Sequence, residues 1–155
     1  MPKVVISDTS TLILLQKIHE LELLNQLYDN LVTTPEIVEE YGDKLPDWVK
    51  VESVKDKKYQ EFVETQVDMG EASAIALAKE FDEVLLLLDD LKARKLAQTL
   101  GLKITGTLGI IHKAKKEGFI KEVKPLIDKL LETNFRISDK IVEEILSLNN
   151  ENAKG

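Results

Sequence analysis

The sequence predicts an α/β fold with a mostly parallel central sheet, and two features of its pattern support this prediction. Residues 4–6 and 84–88 are short continuous apolar runs, which are typical of strands buried on both faces of a parallel sheet. Stretches of helical character lie between and after these runs. Strands that alternate with helices along a chain indicate a mostly parallel sheet with helices packed on it.

The predicted elements follow one another in order along the chain. Thr34-Pro35 predicts a helix start, because proline is tolerated in the first turn of a helix, and Gly101 predicts a helix end. The predicted strands are residues 4–6, 31–33, 51–54, 84–88 and 102–104. The predicted helices are residues 11–18, 21–28, 34–41, 57–67, 70–81, 91–100, 105–117, 122–132 and 138–148.

The chain is expected to form one domain over residues 1–148, followed by a flexible tail over residues 149–155. Its 155 residues, 43% of them hydrophobic, suffice for a single buried core. Cysteine is absent, which excludes disulfides, thiolate catalysis and cysteine-ligated zinc and fits a reducing cytoplasm. Any chemistry of this chain is therefore expected to use oxygen ligands.

Composition and charge limit the partners that the protein is expected to have. Asp8 interrupts the first apolar run and no later run approaches membrane-spanning length, so we expect a soluble, cytoplasmic protein without a membrane partner. The net charge of −7 argues against coating nucleic acid with a broad basic face. An acidic pocket holding divalent cations has a different local charge, and local basic clusters could then contact phosphate. These clusters are Lys92, Arg94 and Lys95, and Lys113, Lys115 and Lys116.

Acidic residues follow two of the predicted strands. The first strand leads into Asp8-Thr9-Ser10, the strand at 84–88 into Asp89-Asp90, and the last strand into Thr105-Gly106-Thr107. Ligands bind beyond the carboxyl ends of parallel strands, so these residues are candidates for a site. Helix N-capping is an open alternative for the acidic segments, and for the threonines of the last segment it is the preferred interpretation.

Glu71 lies in line with apolar residues of a predicted helix. Glu71, Ala74, Ile75 and Ala78 have the i, i+3, i+4, i+7 spacing of one helical face. The carboxylate is either a first-turn acid that interacts with the helix dipole or a site residue that points over the sheet beside Gly70. Both interpretations stay open on the sequence alone.

Glu40 lies in a Glu-rich helical turn, for which a charged, solvated face is the usual explanation. At about 100° per residue, Glu40 borders the face formed by Ile37, Val38 and Tyr41, whereas Glu39 points further toward water. Several acids at strand ends and helix starts together fit oxygen ligation of Mg²⁺ or Mn²⁺.

Other kinds of site find little support in the sequence. His19 and His112 are far apart and lack metal-ligand spacing, so we interpret them as structural or exposed histidines. The seven glycines form neither a GxGxxG motif nor a Walker loop, which argues against a dinucleotide-binding or P-loop enzyme. A receiver-like phosphoryl-transfer domain would carry its acid pair after the first strand, where Asp8 stands alone.

Several short motifs occur together in one order and spacing. They are Asp8-Thr9-Ser10, residues 35–40, Gly70-Glu71 with Ala74, Ile75 and Ala78, Asp89-Asp90 with Ala93, Arg94 and Ala97, residues 106–110, and residues 135–138. In these motifs the chain resembles the PIN-domain nucleases over nearly its whole length, and within them a PIN-like, VapC-toxin-like branch. The resemblance implies a PIN-like α/β/α sandwich with a central mostly parallel sheet flanked by helices, plus C-terminal helices.

The resemblance also implies which residues form the site. The family's four catalytic, metal-binding acids correspond here to Asp8, Glu40, Glu71 and Asp90. Candidate substrate contacts are Ser10, Thr107 and Arg94. Many PIN nucleases carry aspartate at the third acidic position, and the longer side chain of Glu71 changes the distance to a metal ion.

The activity implied by the resemblance is Mg²⁺- or Mn²⁺-dependent hydrolysis of RNA phosphodiester bonds by an endoribonuclease. A VapC-like toxin of this kind is expected to have RNA as substrate, an antitoxin as protein partner and a homodimer as its assembly. The alternative is a catalytically silent PIN-like module that binds RNA or protein. Dependence on metal ions distinguishes the two.

Overall fold

The computed structural model describes residues 2–151, in which strands and helices alternate. The strands are β1 (Val4–Ser7), β2 (Leu31–Thr33), β3 (Val49–Val51), β4 (Val84–Leu87) and β5 (Lys103–Thr105). The helices are α1 (Thr9–Lys17), α2 (Glu22–Leu27), α3 (Pro35–Tyr41), α4 (Lys57–Glu64), α5 (Met69–Ala78), α6 (Leu91–Thr99), α7 (Thr107–Lys116), α8 (Lys124–Leu131) and α9 (Asp139–Leu148). Within this part of the chain, no helix combines the length and the apolar character needed to cross a membrane.

The strands form a parallel sheet in the order β3-β2-β1-β4-β5. β1 is the central strand, and its residues Val5 and Ser7 pair with Leu31 of β2 and Leu87 of β4. Parallel strands end at the same edge of a sheet, so the segments that follow β1, β4 and β5 lie side by side. The predicted α/β fold with a parallel sheet, flanking helices and two C-terminal helices is confirmed.

Helix α5 is buried on almost every side. Every residue of α5 except Met69 and Glu71 is buried, and the helix packs against β1, β4, α3 and α4. A helix that is apolar all round is typical of the interior of a domain, and its many alanines permit close approach to the sheet. The position of Glu71 in the first turn is thereby fixed relative to the strand ends.

One strand is displaced from its predicted position. β3 covers Val49–Val51 rather than residues 51–54, because Val49 pairs with Leu31 of β2. Val54 lies beyond the strand and turns its side chain into the core, where it is 2% exposed. Val54 is buried by packing outside the sheet. Its apolar side chain therefore extended the strand predicted from sequence beyond the actual end of β3.

Residues 149–151, at the start of the predicted flexible tail, make specific contacts with the helices. Asn149 is only 5% exposed, and its side-chain N–H donates to the carbonyl of Ile145 at 2.8 Å. Its side-chain oxygen lies 3.0 Å from Nδ1 of His112. The segment is therefore packed against α7, and residues 152–155 lie outside the described residues.

Glu151 fastens the same segment to the start of α8. Its carboxylate accepts the backbone N–H groups of Val123 at 2.8 Å and Lys124 at 2.9 Å. It also forms a salt bridge with Lys115 at 2.7 Å. Because α8 has no capping side chain of its own, Glu151 supplies oxygen acceptors that the first turn otherwise lacks.

We predict that Glu151→Gln lowers the free energy of unfolding by on the order of 1 kcal/mol, because hydrogen bonds to a charged acceptor are stronger than those to an amide. Burial raises the pKa of Glu151, but the bonds from Lys115, Val123 and Lys124 outweigh it and hold the pKa below its ordinary value. A lowered carboxyl pKa stabilises the fold above the ordinary pKa, and this contribution is lost as pH falls through the folded pKa.

Urea unfolding at neutral pH, and again below the ordinary glutamate pKa of about 4.3, measures this effect. Glu144→Gln on the exposed face of α9 is the matched control. An equal effect of both substitutions at neutral pH would contradict the role assigned to Glu151.

Candidate active site

Asp8 is a buried carboxylate at the junction between β1 and α1. It is 1% exposed, and its Oδ1 accepts the backbone N–H of Thr11 at 2.9 Å, which caps the first turn of α1. Its Oδ2 lies 3.5 Å from the backbone nitrogen of Asp89, at the end of β4. Asp8 is thus both a helix cap and part of a group of acids, so the two interpretations of the sequence are compatible.

The surroundings of Asp8 disfavour its charged form. Burial raises the pKa of Asp8 to about 7, and the nearby charge of Asp89 acts in the same direction, although the hydrogen bond from Thr11 opposes them. A carboxyl group with such a pKa gains stabilisation when a positive charge approaches it. The site therefore favours cations.

Asp89 contacts Asp8 through its backbone nitrogen, and it is not among the four acids that the family resemblance selected. Its carboxylate accepts the hydroxyl of Thr11 at 3.0 Å, the backbone N–H of Thr107 at 2.9 Å and the Thr107 hydroxyl at 2.6 Å. These donors come from two helices, α1 and α7, and they fix the carboxylate beside the carboxyl end of β1. Asp89 is therefore an additional candidate for the site.

Asp90 occupies the N-cap of α6. One of its carboxylate oxygens accepts the backbone N–H of Ala93 at 2.9 Å, and its side chain is more exposed than that of Asp89. The sequence contained a signal for this arrangement, since a helix predicted to begin at residue 91 places Asp90 at the cap position. Asp90 still lies near the other acids, because its charge contributes to the raised pKa of Glu71.

Glu71 joins the group from the first turn of α5. Partial burial, and then the charges of Asp68, Asp90 and Asp8, raise its pKa to about 8. Asp68 caps α5 by accepting the backbone N–H of Glu71 at 2.8 Å. Glu71 is thus a first-turn acid that also lies close to other carboxylates, and Asp68 is a further acid of the group that sequence reasoning missed.

Glu40 lies apart from this group. It is exposed near the end of α3, and its carboxylate packs against Gly70, where an added Cβ would come within 2.9 Å of Oε1. The absence of a side chain at position 70 allows this close approach. Glu40 does not line either of the clefts described below. Gly70, which its carboxylate contacts, is the residue before Glu71.

The three candidate substrate contacts have different positions. Ser10 is exposed and lines the cleft beside the acids. Thr107 is fully buried and binds Asp89, while the N-cap of α7 is Gly106 rather than either threonine. Arg94 donates from Nη1 to the carbonyl of Leu88 at 2.9 Å and does not line the cleft, so the structure places only Ser10 within it.

Two clefts adjoin the acids. A cleft of about 540 Å³ contains Asp68, Glu71, Asp89 and Asp90 in its walls, and a neighbouring one of about 380 Å³ shares Asp68, Glu71 and Asp90. A larger cavity of about 730 Å³ lies at the opposite edge of the sheet, near the amino ends of β4 and β5, and none of the candidate residues lines it. The chemistry of the acids, rather than cavity size, identifies the site.

Among the basic clusters and the histidines, one residue lines a cleft beside the acids and others make contacts within the fold. Lys92 lines the smaller cleft beside the acids. Lys113 lies over the ring of Tyr28, 4.8 Å from its centroid, and Lys115 pairs with Glu151. His112 contacts Asn149 as described above. The cluster on α7 therefore includes two lysines with structural contacts.

The acids can supply oxygen ligands to a divalent cation, but they do not surround a common point in the described part of the chain. Among residues 2–151, no three Asp, Glu, His or Cys side chains converge into a ready metal-binding group. The salt bridges formed in this part of the chain involve none of the cleft acids. Mg²⁺ usually keeps several waters and is held by one or two carboxylates together with substrate phosphate, so Asp8 with Asp89 or Glu71 suits Mg²⁺ or Mn²⁺.

A comparison with protein families identifies the family of this chain. A family model described as a PIN domain matches residues 4–151. The chain belongs to the PIN-domain family. PIN domains form a nuclease superfamily and generally use divalent metals such as Mg²⁺. No curated protein matches this PIN domain.

We predict that Asp8→Asn stabilises the metal-free PIN domain more at alkaline than at mildly acidic pH. The folded pKa of Asp8 is about 7, above the ordinary value of 3.8, so between these values the folded state holds more protons than the unfolded state. Stability of the wild type then falls as pH rises through this window. Asparagine carries no such charge and can still cap α1.

Thermal unfolding in EDTA, on either side of the folded pKa, measures the difference between Asp8→Asn and wild type. Asp56→Asn is the control, because Asp56 also caps a helix, α4, through the N–H of Tyr59 but lies outside the clefts. A stability difference for Asp8→Asn that does not grow with pH would show that the burial of this charge is not destabilising.

Proposed function

We propose that this PIN domain is a Mg²⁺- or Mn²⁺-dependent endoribonuclease that hydrolyses RNA phosphodiester bonds at the acids beside β1 and β4. The observation that carries the proposal is the buried carboxylate of Asp8, adjacent to Asp89 and within the electrostatic reach of Glu71. Like charges held together in a folded protein raise each other's pKa, and a divalent cation relieves this repulsion. Family membership and the cleft beside these acids support the same reaction.

The roles proposed for the residues follow from how each one is held. Asp8 is the central ligand, since its Oδ1 is fixed at the start of α1 and its Oδ2 lies beside the backbone nitrogen of Asp89. Asp89 is oriented by Thr11 and Thr107 and would complete the ligand set with Glu71. A bound divalent cation lowers the pKa of the attacking water and stabilises charge on the leaving oxygen.

The outer acids have supporting roles in the same proposal. Asp90 caps α6 and adjoins Glu71, so it would orient the ligand set or bind through water. Glu40 would also act through water, from its position against Gly70. Ser10 would contact the substrate from the cleft wall, whereas Thr107 and Arg94 would act by holding Asp89 and the end of β4.

The resemblance to VapC-like toxins supports a biological setting for this reaction. The proposal includes action as the toxin of a toxin–antitoxin pair in the cytoplasm, with an antitoxin as partner and a homodimer as assembly. Growth arrest after expression of wild type but not Asp8→Asn tests the toxin role, and light scattering tests the dimer. If cells that express active enzyme continue to grow, the toxin role is contradicted and the nuclease proposal is not affected.

One observation favours a catalytically silent PIN module as the second candidate. In the described chain, the acids do not converge into a three-residue metal-binding group, and the pKa of Glu71 is raised to about 8. A protonated Glu71 would leave fewer charged ligands at neutral pH. Metal binding and RNA cleavage, measured separately, decide between the two candidates.

We predict that Mn²⁺ or Mg²⁺ raises the melting temperature of wild type, because a ligand that binds only the folded state stabilises it by about 2.7 kcal/mol at 100 times its Kd. Asp8→Asn should abolish this shift, and Asp56→Asn should retain it. Differential scanning calorimetry with metal and with EDTA measures the shift. A wild type that is insensitive to both metals would favour the silent module.

We predict that Asp8→Asn and Asp89→Asn each lower metal-dependent RNA cleavage by about 100-fold or more, in line with the loss of a positioning or charge-stabilising group. Asp90→Asn should have a smaller effect, because asparagine preserves the cap of α6. Cleavage of labelled RNA, with Mg²⁺, with Mn²⁺ and with EDTA, measures the losses. Full activity of Asp89→Asn would remove this residue from the site and leave the acid after β4 to Asp90.

Two neighbouring glutamates on α3 provide a matched pair for the same assay. Glu40→Gln should lower cleavage, because the Glu40 carboxylate lies against Gly70 beside the acids. Glu39→Gln, an exposed residue on the same helix, should leave cleavage nearly unchanged. Equal losses, or the reverse order, would show that Glu40 has no specific role.

A further inference from the structure

The larger acidic cleft is completed by a loop that the proposed reaction does not use. The segment between α8 and α9 contributes Asn134, Phe135 and Arg136 to the walls of this cleft. Lys17, from the end of α1, lines it as well. The cleft therefore joins acids at the strand ends to two basic side chains and one aromatic ring.

The two basic side chains are exposed to solvent. Lys17 and Arg136 are exposed, and within residues 2–151 neither forms a salt bridge, although acids line the same cleft. Arg94, in contrast, binds the carbonyl of Leu88, and Lys115 binds Glu151. Phosphate is a natural partner for an unpaired guanidinium, because Arg presents several donors to its oxygens.

Phe135 is held in place by the loop itself. Its backbone N–H donates to the hydroxyl of Thr133 at 3.1 Å, and that hydroxyl donates to the carbonyl of Leu130 at 2.6 Å. The side chain is half-buried and packs against the core while it lines the cleft with Ile13. A ring that is anchored on one side and accessible on the other is suited to stack on a nucleobase.

We propose that this cleft is a nucleotide subsite for single-stranded RNA, in which Phe135 stacks on a base while Arg136 and Lys17 bind the adjoining phosphate. This inference rests on the proposed nuclease function, since it places the next phosphate of the strand at the acids. The cleft volume of about 540 Å³ lies within the range of small-molecule sites, about 300–1,000 Å³. Stacking on a side chain requires an unpaired base, which excludes duplex RNA.

The test measures binding apart from cleavage, by fluorescence anisotropy of a short labelled adenosine RNA oligomer in EDTA, where metal-dependent hydrolysis stops. Arg136→Gln and Lys17→Gln should each weaken binding about fivefold at low salt and reduce the slope of log Kd against log salt by about 0.7 per lost phosphate contact. Arg136→Lys should keep the slope. Lys58→Gln, an exposed lysine on α4 outside this cleft, is the matched control and should leave binding unchanged.

Phe135 is tested with Phe135→Leu, which retains apolar packing against the core. This substitution should weaken binding of the adenosine oligomer about tenfold, the loss expected for one stacked base, but leave binding of an abasic oligomer unchanged. A thermal melt of each variant confirms that it is folded. Equal weakening for both oligomers would show that the ring has no stacking role and overturn the base contact.

The outcomes separate the subsite from the nuclease. Wild type that does not bind the RNA oligomer, or variants that bind it like wild type and Lys58→Gln, would overturn the subsite even if RNA is cleaved. Weakened binding in Arg136→Gln, Lys17→Gln and Phe135→Leu supports the subsite even if no metal ion promotes cleavage. In that second case the nuclease proposal fails, and the cleft remains as an RNA-binding site.

Discussion

The parallel pairing of β1 with β4 is the constraint on which the candidate site depends. Ser7 pairs with Leu87, and the backbone N–H of Asp8 donates to the carbonyl of Leu87 at 3.1 Å. The first acid after β1 and the first acid after β4 are thereby forced to the same edge, one strand spacing apart. Two carboxylates in such positions repel each other, so the fold must hold them by other contacts.

Hydrogen bonds from helix starts supply that restraint. Asp8 caps α1, Asp68 caps α5 and Asp90 caps α6, while the N–H and hydroxyl of Thr107, the first residue of α7, bind Asp89. Capping bonds stabilise a helix by about 1 kcal/mol each, which offsets part of the cost of gathering the acids. The same side chains thus serve the fold and the proposed chemistry, and this explains why capping and site function could not be separated from sequence.

The sequence predicted the fold well where its signal is local. Continuous apolar runs located β1 and β4, but β3 was displaced because the burial of Val54 comes from tertiary packing. The choice between Asp89 and Asp90 depends on which carboxylate faces Thr11 and Thr107, residues distant along the chain. The contacts of Glu151 with Lys115 and the start of α8 could not be predicted from sequence either, because these residues are distant along the chain.

The acids also divide the surface on which a strand of RNA would lie. Asp68, Glu71 and Asp90 line both clefts, so they form the boundary between them. Lys92 lies on one side of this boundary, whereas Arg136 lies with the aromatic ring on the other. A phosphate at the boundary would have basic groups on either side but a stacking surface on one side only. Under the proposed function, stacking of a base would therefore occur on the side of the α8–α9 loop.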